Sequence, residues 1–153
     1  MSTDKLLNQP APSFSLFDQE NKQHQLSDYQ GQWCVIYFYP KDDTPGCTKQ
    51  ACNLRDDYTV LQSLNISILG ISLDNSATHA YFADKYQLPF PLLADQNGQV
   101  ASAYQALFTL GPFKLAKRHS FLIDPAGIIR AIFRQVNTSQ HTKQILEVFQ
   151  QLR

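Results

Sequence analysis

The sequence has no excess charge of either sign, no long apolar run and little cysteine, and each shortage excludes a class of protein. Thirteen basic and thirteen acidic side chains cancel, so no electrostatic field attracts nucleic acid or an anionic membrane. No apolar run approaches the roughly 20 residues that span a bilayer. Residues 1–10 are polar and lack the apolar core of a secretory signal. We therefore expect a cytoplasmic protein that binds neither nucleic acid nor membrane.

The three cysteines, Cys34, Cys47 and Cys52, are too few and odd in number for the disulfide framework of a small secreted protein. In a reducing compartment they are packing residues, metal ligands or reactive thiols. The four histidines form no array with metal-ligand spacing, so we predict no metal and no cofactor. A chain of 153 residues can bury its own core. Since no repeat or linker divides it, we predict one domain over residues 1–153.

Strand-like and helix-like apolar patterns alternate along the chain. A short hairpin is predicted first, and the continuous apolar run from Trp33 to Tyr39 is typical of a strand buried on both faces. The predicted helices are Cys47 to Leu64, Ser76 to Gln87, Gln99 to Ala106 and Thr142 to Leu152. The predicted strands are 13–17, 23–26, Trp33 to Tyr39, Ile66 to Leu73, Leu92 to Ala94, His119 to Asp124 and Ile128 to Phe133. This order predicts an α/β, thioredoxin-like fold: a mixed central sheet with helices on both faces and an N-terminal β-hairpin extension.

Cys47 stands where a helix is expected to begin, directly after a buried strand and a turn-rich loop. A helix N-terminus offers free backbone N–H groups and the positive end of the dipole. Both favour a thiolate, which is the nucleophilic form of cysteine. Thr44 lies three residues earlier. Its hydroxyl either sits beside the sulfur and takes part in the chemistry or only caps the helix, and both alternatives stay open here.

The segment Y-F-Y-P-K-D-D-T-P-G-C-T-K-Q-A-C, residues 37–52, resembles the active-site loop of peroxiredoxins. Pro40, Thr44 and Cys47 fill the family pattern P-x-x-x-T-x-x-C. The fuller segment resembles the bacterioferritin-comigratory-protein branch, also called peroxiredoxin Q. The resemblance extends over nearly the whole chain, through A-P-S-F-S-L, I-L-G-I-S-L-D and R-H-S-F-L-I-D-P-A-G.

The resemblance implies a thiol peroxidase that reduces hydrogen peroxide and organic hydroperoxides. It implies that Cys47 is the peroxidatic cysteine, that Arg118 is the active-site arginine, and that a sulfenic acid forms on Cys47. It also implies thioredoxin or a similar dithiol as the reductant, and a monomer. The chemistry of arginine agrees, because its guanidinium is always charged and carries several donors in a fixed fork. The alternative for Arg118 is a solvated cation at the end of a strand.

By the same resemblance, the C-x-x-x-x-C spacing marks Cys52 as the resolving cysteine. On an ideal helix, residues five apart have Cα atoms about 8.7 Å apart, whereas a disulfide needs roughly 7 Å or less. The helix must therefore unwind for Cys52 to reach Cys47. The alternative is an enzyme with one working cysteine and an idle Cys52. Cys34, inside the apolar strand, is expected to be a packing residue.

Two other functions are open on the sequence. A thiol–disulfide oxidoreductase would need the spacing C-x-x-C, which is absent, and a non-catalytic binding module would not need Thr44, Cys47 and Arg118 together. Asp42 and Asp43 are interpreted as solvated loop residues and Tyr39 as a core residue. In the apolar segment 106–117, four residues are expected to flank the active site: Phe108, Leu110, Phe113 and Leu115.

Overall fold

The computed structural model describes residues 4–153 and contains a five-stranded mixed sheet with the order β5-β4-β3-β8-β9. The strands are β1 Ser15–Phe17, β2 Gln23–Gln25, β3 Trp33–Phe38, β4 Ile66–Ser72, β5 Leu92–Ala94, β6 Leu107–Leu110, β7 Phe113–Ala116, β8 Ser120–Ile123 and β9 Ile129–Phe133. The helices are α1 Pro45–Asp56, α2 Tyr58–Ser63, α3 Ser76–Tyr86, α4 Gln99–Ala103 and α5 His141–Leu152, with a short 3-10 helix at Leu26–Tyr29.

β3 lies at the centre of the sheet, parallel to β4 and antiparallel to β8. Its unbroken apolar sequence suits this place, because successive side chains point to opposite faces and both faces are covered. Val35 and Tyr37 pack into one core, and Cys34 and Ile36 pack into the other. The strand therefore separates two hydrophobic layers, and its carboxyl end delivers the chain into the loop before α1.

Helices cover the two faces unequally. Buried residues of α1, α2, α3 and α5 join the first core, which contains Leu54, Leu61, Phe82 and Phe149. On the other face, α4 packs together with residues of the N-terminal segment, including Phe14. The predicted mixed sheet with helices on both faces is confirmed, and so is the N-terminal hairpin, in which β1 pairs antiparallel with β2. Within residues 4–153, none of the helices has the length and apolarity that crossing a bilayer requires.

Several predicted boundaries were wrong. The helix expected from Cys47 to Leu64 begins earlier, at Pro45, and is broken at Asp57, whose backbone leaves the helical region at φ −103° and ψ 12°. The helix expected from Gln99 to Ala106 ends at Ala103. The apolar segment 106–117, for which no element was expected, forms the β6–β7 hairpin around Gly111, which has φ +59°.

Candidate active site

Cys47 occupies the first turn of α1. The helix begins with Pro45, and proline suits a first helical position because its missing N–H would have no partner there. The side chain of Cys47 faces the core and is 1% exposed. The sulfur therefore lies close to the free N–H groups of the helix start while most solvent is excluded from it. Such surroundings favour attack on a small molecule that can enter beside the helix.

Arg118 meets Cys47 from the loop between β7 and β8. Its Nη2 donates to the Cys47 sulfur over 3.4 Å, and its Nη1 donates to Oε1 of Gln50 over 2.8 Å. One guanidinium thus bridges two residues of α1 that lie three apart and share a helix face. The pairing of Arg118 with Cys47 is what the sequence predicted. The alternative, a solvated cation at the end of a strand, does not fit Arg118, because its side chain is half-buried.

Gly46 makes this approach possible. A Cβ placed on Gly46 would lie 3.0 Å from Nη2 of Arg118 and 3.6 Å from its Cζ. Real Cβ atoms rarely make so close a contact, and the guanidinium would have to move aside. The glycine before the nucleophile therefore sets the position of the cation that faces the sulfur.

Sequence reasoning missed Gln50, which is completely buried. Its oxygen accepts from Arg118, whereas its Nε2 has no hydrogen-bond partner among the residues that the structure describes. A buried amide nitrogen without a partner is costly, so this one is available to a molecule entering the site. The signal was present in the sequence, because Gln50 follows Cys47 by three residues on a helix whose neighbouring inward positions are apolar.

Thr44 precedes α1 as its N-cap residue, but its hydroxyl makes no capping hydrogen bond. Instead, Oγ1 donates to the carbonyl oxygen of Lys41 over 2.8 Å. The hydroxyl proton is therefore committed, and the oxygen lone pairs stay available to accept. Of the two alternatives for Thr44, side-chain capping is wrong and participation beside the sulfur remains.

Pro40 ends β3 and lines a cavity of about 450 Å³ together with Arg118. Residues of the β6–β7 hairpin, Phe108 and Leu115, form an apolar part of the wall, and Lys117 adds a cation. The expected apolar flank therefore adjoins the active-site arginine.

The interpretation of Asp42 and Asp43 as solvated loop residues was wrong. The Asp42 carboxylate is buried and contacts Nδ1 of His79 at 2.7 Å. Asp43 accepts hydrogen bonds from Lys85 at 2.9 Å and from Tyr86 at 3.1 Å, and Lys85 lowers the pKa of its carboxyl group. Both carboxylates thus tie the loop before Cys47 to α3, because a loop that must hold catalytic groups needs partners for its backbone and side chains.

The other two cysteines lie in different surroundings. Cys52 is partly exposed on α1, the same helix as Cys47, and the structure contains no disulfide among the described residues. Cys34 is 1% exposed in the opposite core, and burial raises the pKa of its thiol to about 12. The expectation that Cys34 packs rather than reacts agrees with its raised pKa, because a reactive thiol must ionise readily. Tyr39 is likewise in the core, as expected.

Comparisons with known proteins identify the family. Residues 7–132 match the family described as AhpC/TSA. Peroxiredoxin Bcp of Escherichia coli (strain K12) is 42% identical over 140 residues, which are 89% of this chain and 90% of that protein. The crystal structure of peroxidoxin BcpB from Mycobacterium tuberculosis superposes with a TM-score of 0.91 at 29% identity, over 98% of this chain and 99% of that one.

A third comparison is a solved structure of the bacterioferritin comigratory protein of Xanthomonas campestris, a protein described as having alkyl peroxide reduction activity. It has a TM-score of 0.87 at 28% identity, and the match covers 96% of this chain and 98% of that one. These neighbours confirm the thioredoxin-like fold. The chain belongs to the AhpC/TSA family of thiol-dependent peroxidases, in the bacterioferritin-comigratory-protein branch of the peroxiredoxins, also called peroxiredoxin Q.

Proposed function

We propose that Cys47 reduces hydroperoxides through a sulfenic acid, that Cys52 resolves this acid as a disulfide, and that thioredoxin or a similar dithiol reduces the disulfide. The observation that carries the proposal is the placement of Arg118, which donates to the Cys47 sulfur at the N-terminus of α1. A fixed cation beside a thiolate stabilises the nucleophile. It also stabilises the negative charge that develops on the peroxide oxygens.

In the first step the Cys47 thiolate attacks one peroxide oxygen. An S–O bond forms, the O–O bond breaks and the second oxygen leaves with a proton as water or an alcohol. The sulfur is oxidised and the peroxide is reduced by two electrons. Thr44 suits this step because its oxygen can accept from the peroxide O–H, while its own proton is already held by Lys41. The unpaired Nε2 of Gln50 provides a further donor near Arg118.

In the second step the Cys52 thiol attacks the sulfenic sulfur, an S–S bond forms and the hydroxyl leaves as water. Both cysteines lie within α1, where an ideal helix keeps their Cα atoms about 8.7 Å apart. Because a disulfide needs roughly 7 Å or less, the first turns of α1 must open. The start of α1 favours opening, since the Thr44 side chain does not cap it.

The opening has a natural limit at Asn53, the residue after Cys52. Asn53 Nδ2 donates to the Ser139 carbonyl over 3.1 Å, and its Oδ1 accepts from the Thr142 backbone N–H over 2.9 Å. The N-cap residue of α5, Gln140, makes no side-chain cap, so Asn53 fills that role from another helix. Unwinding beyond Asn53 would expose the start of α5. We infer that the opening segment is residues 45–52.

The β6–β7 hairpin supports the proposal that organic hydroperoxides are substrates. Phe108 lies opposite Leu115, and Leu110 lies opposite Phe113. These four side chains share one face because paired residues and alternate residues point the same way. Phe108, Leu110 and Phe113 are 43%, 69% and 54% exposed. This apolar face adjoins the cavity lined by Arg118 and offers an alkyl chain a surface next to the peroxide site.

The experiment that tests the function is peroxide consumption by the purified chain with a thioredoxin system. Cys47→Ser should abolish turnover. Cys52→Ser should keep the first reaction with peroxide fast but lose turnover supported by thioredoxin. Retention of most turnover in Cys47→Ser would refute the central role of this residue. Unchanged turnover in Cys52→Ser would indicate an enzyme with one working cysteine.

The opening of α1 is tested by hydrogen exchange on the reduced and disulfide forms. Reduced protein should protect residues 48–52, and the Cys47–Cys52 disulfide form should exchange there while residues beyond Asn53 stay protected. Equal protection in both forms would contradict the unwinding model. Mass spectrometry after one equivalent of peroxide shows which disulfide has formed.

A further inference from the structure

The active-site loop contains a buried carboxylate that the peroxide chemistry does not use. Of residues 41–45, all of which the structure describes, only Asp42 is buried. We propose that Asp42 and His79 form a buried clamp that positions the loop, so that the Thr44 hydroxyl is held at the peroxide site. The inference rests on the proposed function. It assigns the two residues as positioning residues, because neither contacts the reacting sulfur.

The clamp is a fully partnered network. His79 Nδ1 lies 2.7 Å from Asp42 Oδ2, and His79 Nε2 lies 3.0 Å from the Leu93 carbonyl oxygen. The carbonyl can only accept, so Nε2 carries a proton. One further proton lies between Nδ1 and the carboxylate. The ring is thereby held at both nitrogens between the active-site loop and β5, with the His79 side chain completely buried and that of Asp42 5% exposed.

Further bonds fix Asp42 itself. The Tyr39 hydroxyl donates to Asp42 Oδ1 over 2.5 Å. The Asp42 backbone N–H donates to Asp74 Oδ2 over 2.8 Å, and that oxygen also accepts from the Ser72 hydroxyl over 2.7 Å. Asp42 is therefore fixed through both its side chain and its main chain. Tyr39 directly follows β3, Asp74 lies two residues after β4, and His79 belongs to α3, so the partners of Asp42 come from three separate parts of the chain.

The clamp acts on Thr44 through the backbone, because Thr44 follows Asp42 by only two residues. Thr44 Oγ1 donates to the carbonyl of Lys41, the residue directly before Asp42. Asp43, directly after Asp42, has φ +58°, a left-handed conformation that is uncommon for non-glycine residues although aspartate adopts it more readily than most. The direction of the Lys41 carbonyl and the turn into α1 both depend on where Asp42 is fixed. Displacement of Asp42 would therefore rotate the Thr44 oxygen away from the peroxide.

The same residues have the donor types of a cation site, since single donor atoms of Asp42, Asp74 and His79 lie within 4.8 Å of one another. Both ring nitrogens of His79 are already hydrogen bonded, however, and each oxygen of the Asp42 carboxylate already has a hydrogen-bond partner, Tyr39 or His79. A metal would have to displace these bonds. The complete hydrogen bonding favours a clamp over a metal site.

The test compares two reactions of the same sulfur. The rate of Cys47 with hydrogen peroxide needs the positioned loop, whereas alkylation by iodoacetamide needs only the thiolate and access to it. Site-resolved mass spectrometry measures alkylation at Cys47. Asp42→Ala and His79→Phe should slow the peroxide reaction by about 10- to 100-fold, the usual effect of a misplaced catalytic group. Alkylation should change by less than about twofold.

Three further variants keep the test informative if a clamp variant folds poorly. Asp42→Asn retains the shape and can still accept from His79, so it should keep the peroxide rate within about threefold of wild type. Tyr39→Phe removes one bond to Asp42 and should give a smaller loss in the peroxide rate alone. Asp84→Ala removes an exposed carboxylate on the same helix as His79 and should leave both rates unchanged.

The outcomes separate this inference from the proposed function. If wild-type protein fails to reduce peroxide, the proposed function is wrong. If wild-type protein is active and the peroxide and alkylation rates of the clamp variants fall together, the network only maintains the fold. If Asp42→Ala, His79→Phe and Tyr39→Phe all keep the wild-type peroxide rate, the clamp does not position Thr44. Circular dichroism and thermal unfolding of every variant accompany the rates.

Discussion

The guanidinium of Arg118 donates to the sulfur of Cys47 over 3.4 Å and also donates to Gln50 over 2.8 Å. The cation is therefore fixed by the same helix that carries the nucleophile. Any change that moves the first turn of α1 also moves both acceptors of the guanidinium. The reduced helix and the charged site are consequently one structural unit, and the proposed Cys47–Cys52 disulfide would require that both be dismantled.

Arg118→Met should slow the reaction of Cys47 with hydrogen peroxide by about 100- to 1,000-fold, because a fixed charge no longer faces the developing negative charge. Arg118→Lys should fall between wild type and Arg118→Met, since an ammonium group lacks the fork that reaches both acceptors. Stopped-flow measurement at saturating and limiting peroxide provides the rates. A methionine variant as fast as wild type would remove Arg118 from the mechanism.

Gly46→Ala should separate activity from stability. The new Cβ would lie 3.0 Å from Nη2 of Arg118, so the guanidinium should shift and the peroxide rate should fall several-fold. Alanine at a helical position is favoured over glycine by about 1 kcal/mol, so the thermal unfolding temperature should not fall. A drop in stability without a change in rate would show that the close approach is structural only.

Thr44→Val should reduce the peroxide rate more than Thr44→Ser. Valine keeps the shape of threonine but loses the hydroxyl that is held by Lys41. The expected loss is about 10- to 100-fold, the range for a missing group at a reacting centre. Rapid mixing with hydrogen peroxide gives both rates. Equal rates in the two variants would leave Thr44 with a structural role only.

Leu110→Ser and Phe113→Ser should lower the rate with a long-chain alkyl hydroperoxide relative to hydrogen peroxide. Each substitution removes apolar surface from the exposed hairpin face. Losing a contact worth about 1 kcal/mol should lower the relative rate with the alkyl hydroperoxide roughly fivefold per substitution. Val60→Ser is the matched control, because Val60 is 48% exposed on α2. The ratio of kcat/KM values is measured for both substrates. An equal ratio in all variants would contradict an alkyl-binding role.

Stability should fall in acid through His141. Burial, with a smaller contribution from Arg118, lowers the pKa of His141 from 6.5 to about 4. Between pH 6.5 and 4, His141 is protonated in the unfolded chain but neutral in the folded chain. The free energy of unfolding therefore decreases by roughly 3 kcal/mol as the pH falls through this range. Urea unfolding at several pH values measures this slope. His141→Gln should reduce the slope without abolishing it, because burial also lowers the pKa of His119 to about 4. The same slope in the variant would assign the acid sensitivity to other groups.

Sequence patterns predicted the elements with strong periodicity. The buried strand β3, the parallel strand β4 and the helix α5 were found where the apolar spacing indicated, since these elements bury one stripe or both faces. The break at Asp57 was missed because the apolar positions continue in helical spacing across it. The β6–β7 hairpin was missed because its strands are only four residues long and the apolar residues that alternate along them, such as Leu110 and Phe113, lie exposed instead of facing a core.

In the active site, the resemblance pointed to Cys47, Arg118, Thr44, Pro40 and Cys52, and their chemical roles stay predictions. The contacts of Gln50 and Asp42 could not be predicted, because each depends on residues far away in the sequence. Arg118 is 68 residues from Gln50, and His79 is 37 residues from Asp42. From the sequence alone, polar residues in or beside a catalytic loop are interpreted as solvated, because only the folded structure shows their hydrogen-bond partners. The single domain, the monomeric state and the cytoplasmic location also stay predictions.

The burial of Cys34 on the far side of β3 divides the thiols of the chain into two groups. Two of the three cysteines lie on α1, where we propose that peroxide is reduced, and the third lies in the opposite core, where burial raises the pKa of its thiol to about 12. Titration of free thiols after exhaustive peroxide treatment should therefore find one per chain as long as the fold is intact. A count of zero would then report loss of the native core rather than catalysis. The oxidation state of Cys34 therefore distinguishes folded enzyme whose other two cysteines are oxidised from unfolded enzyme.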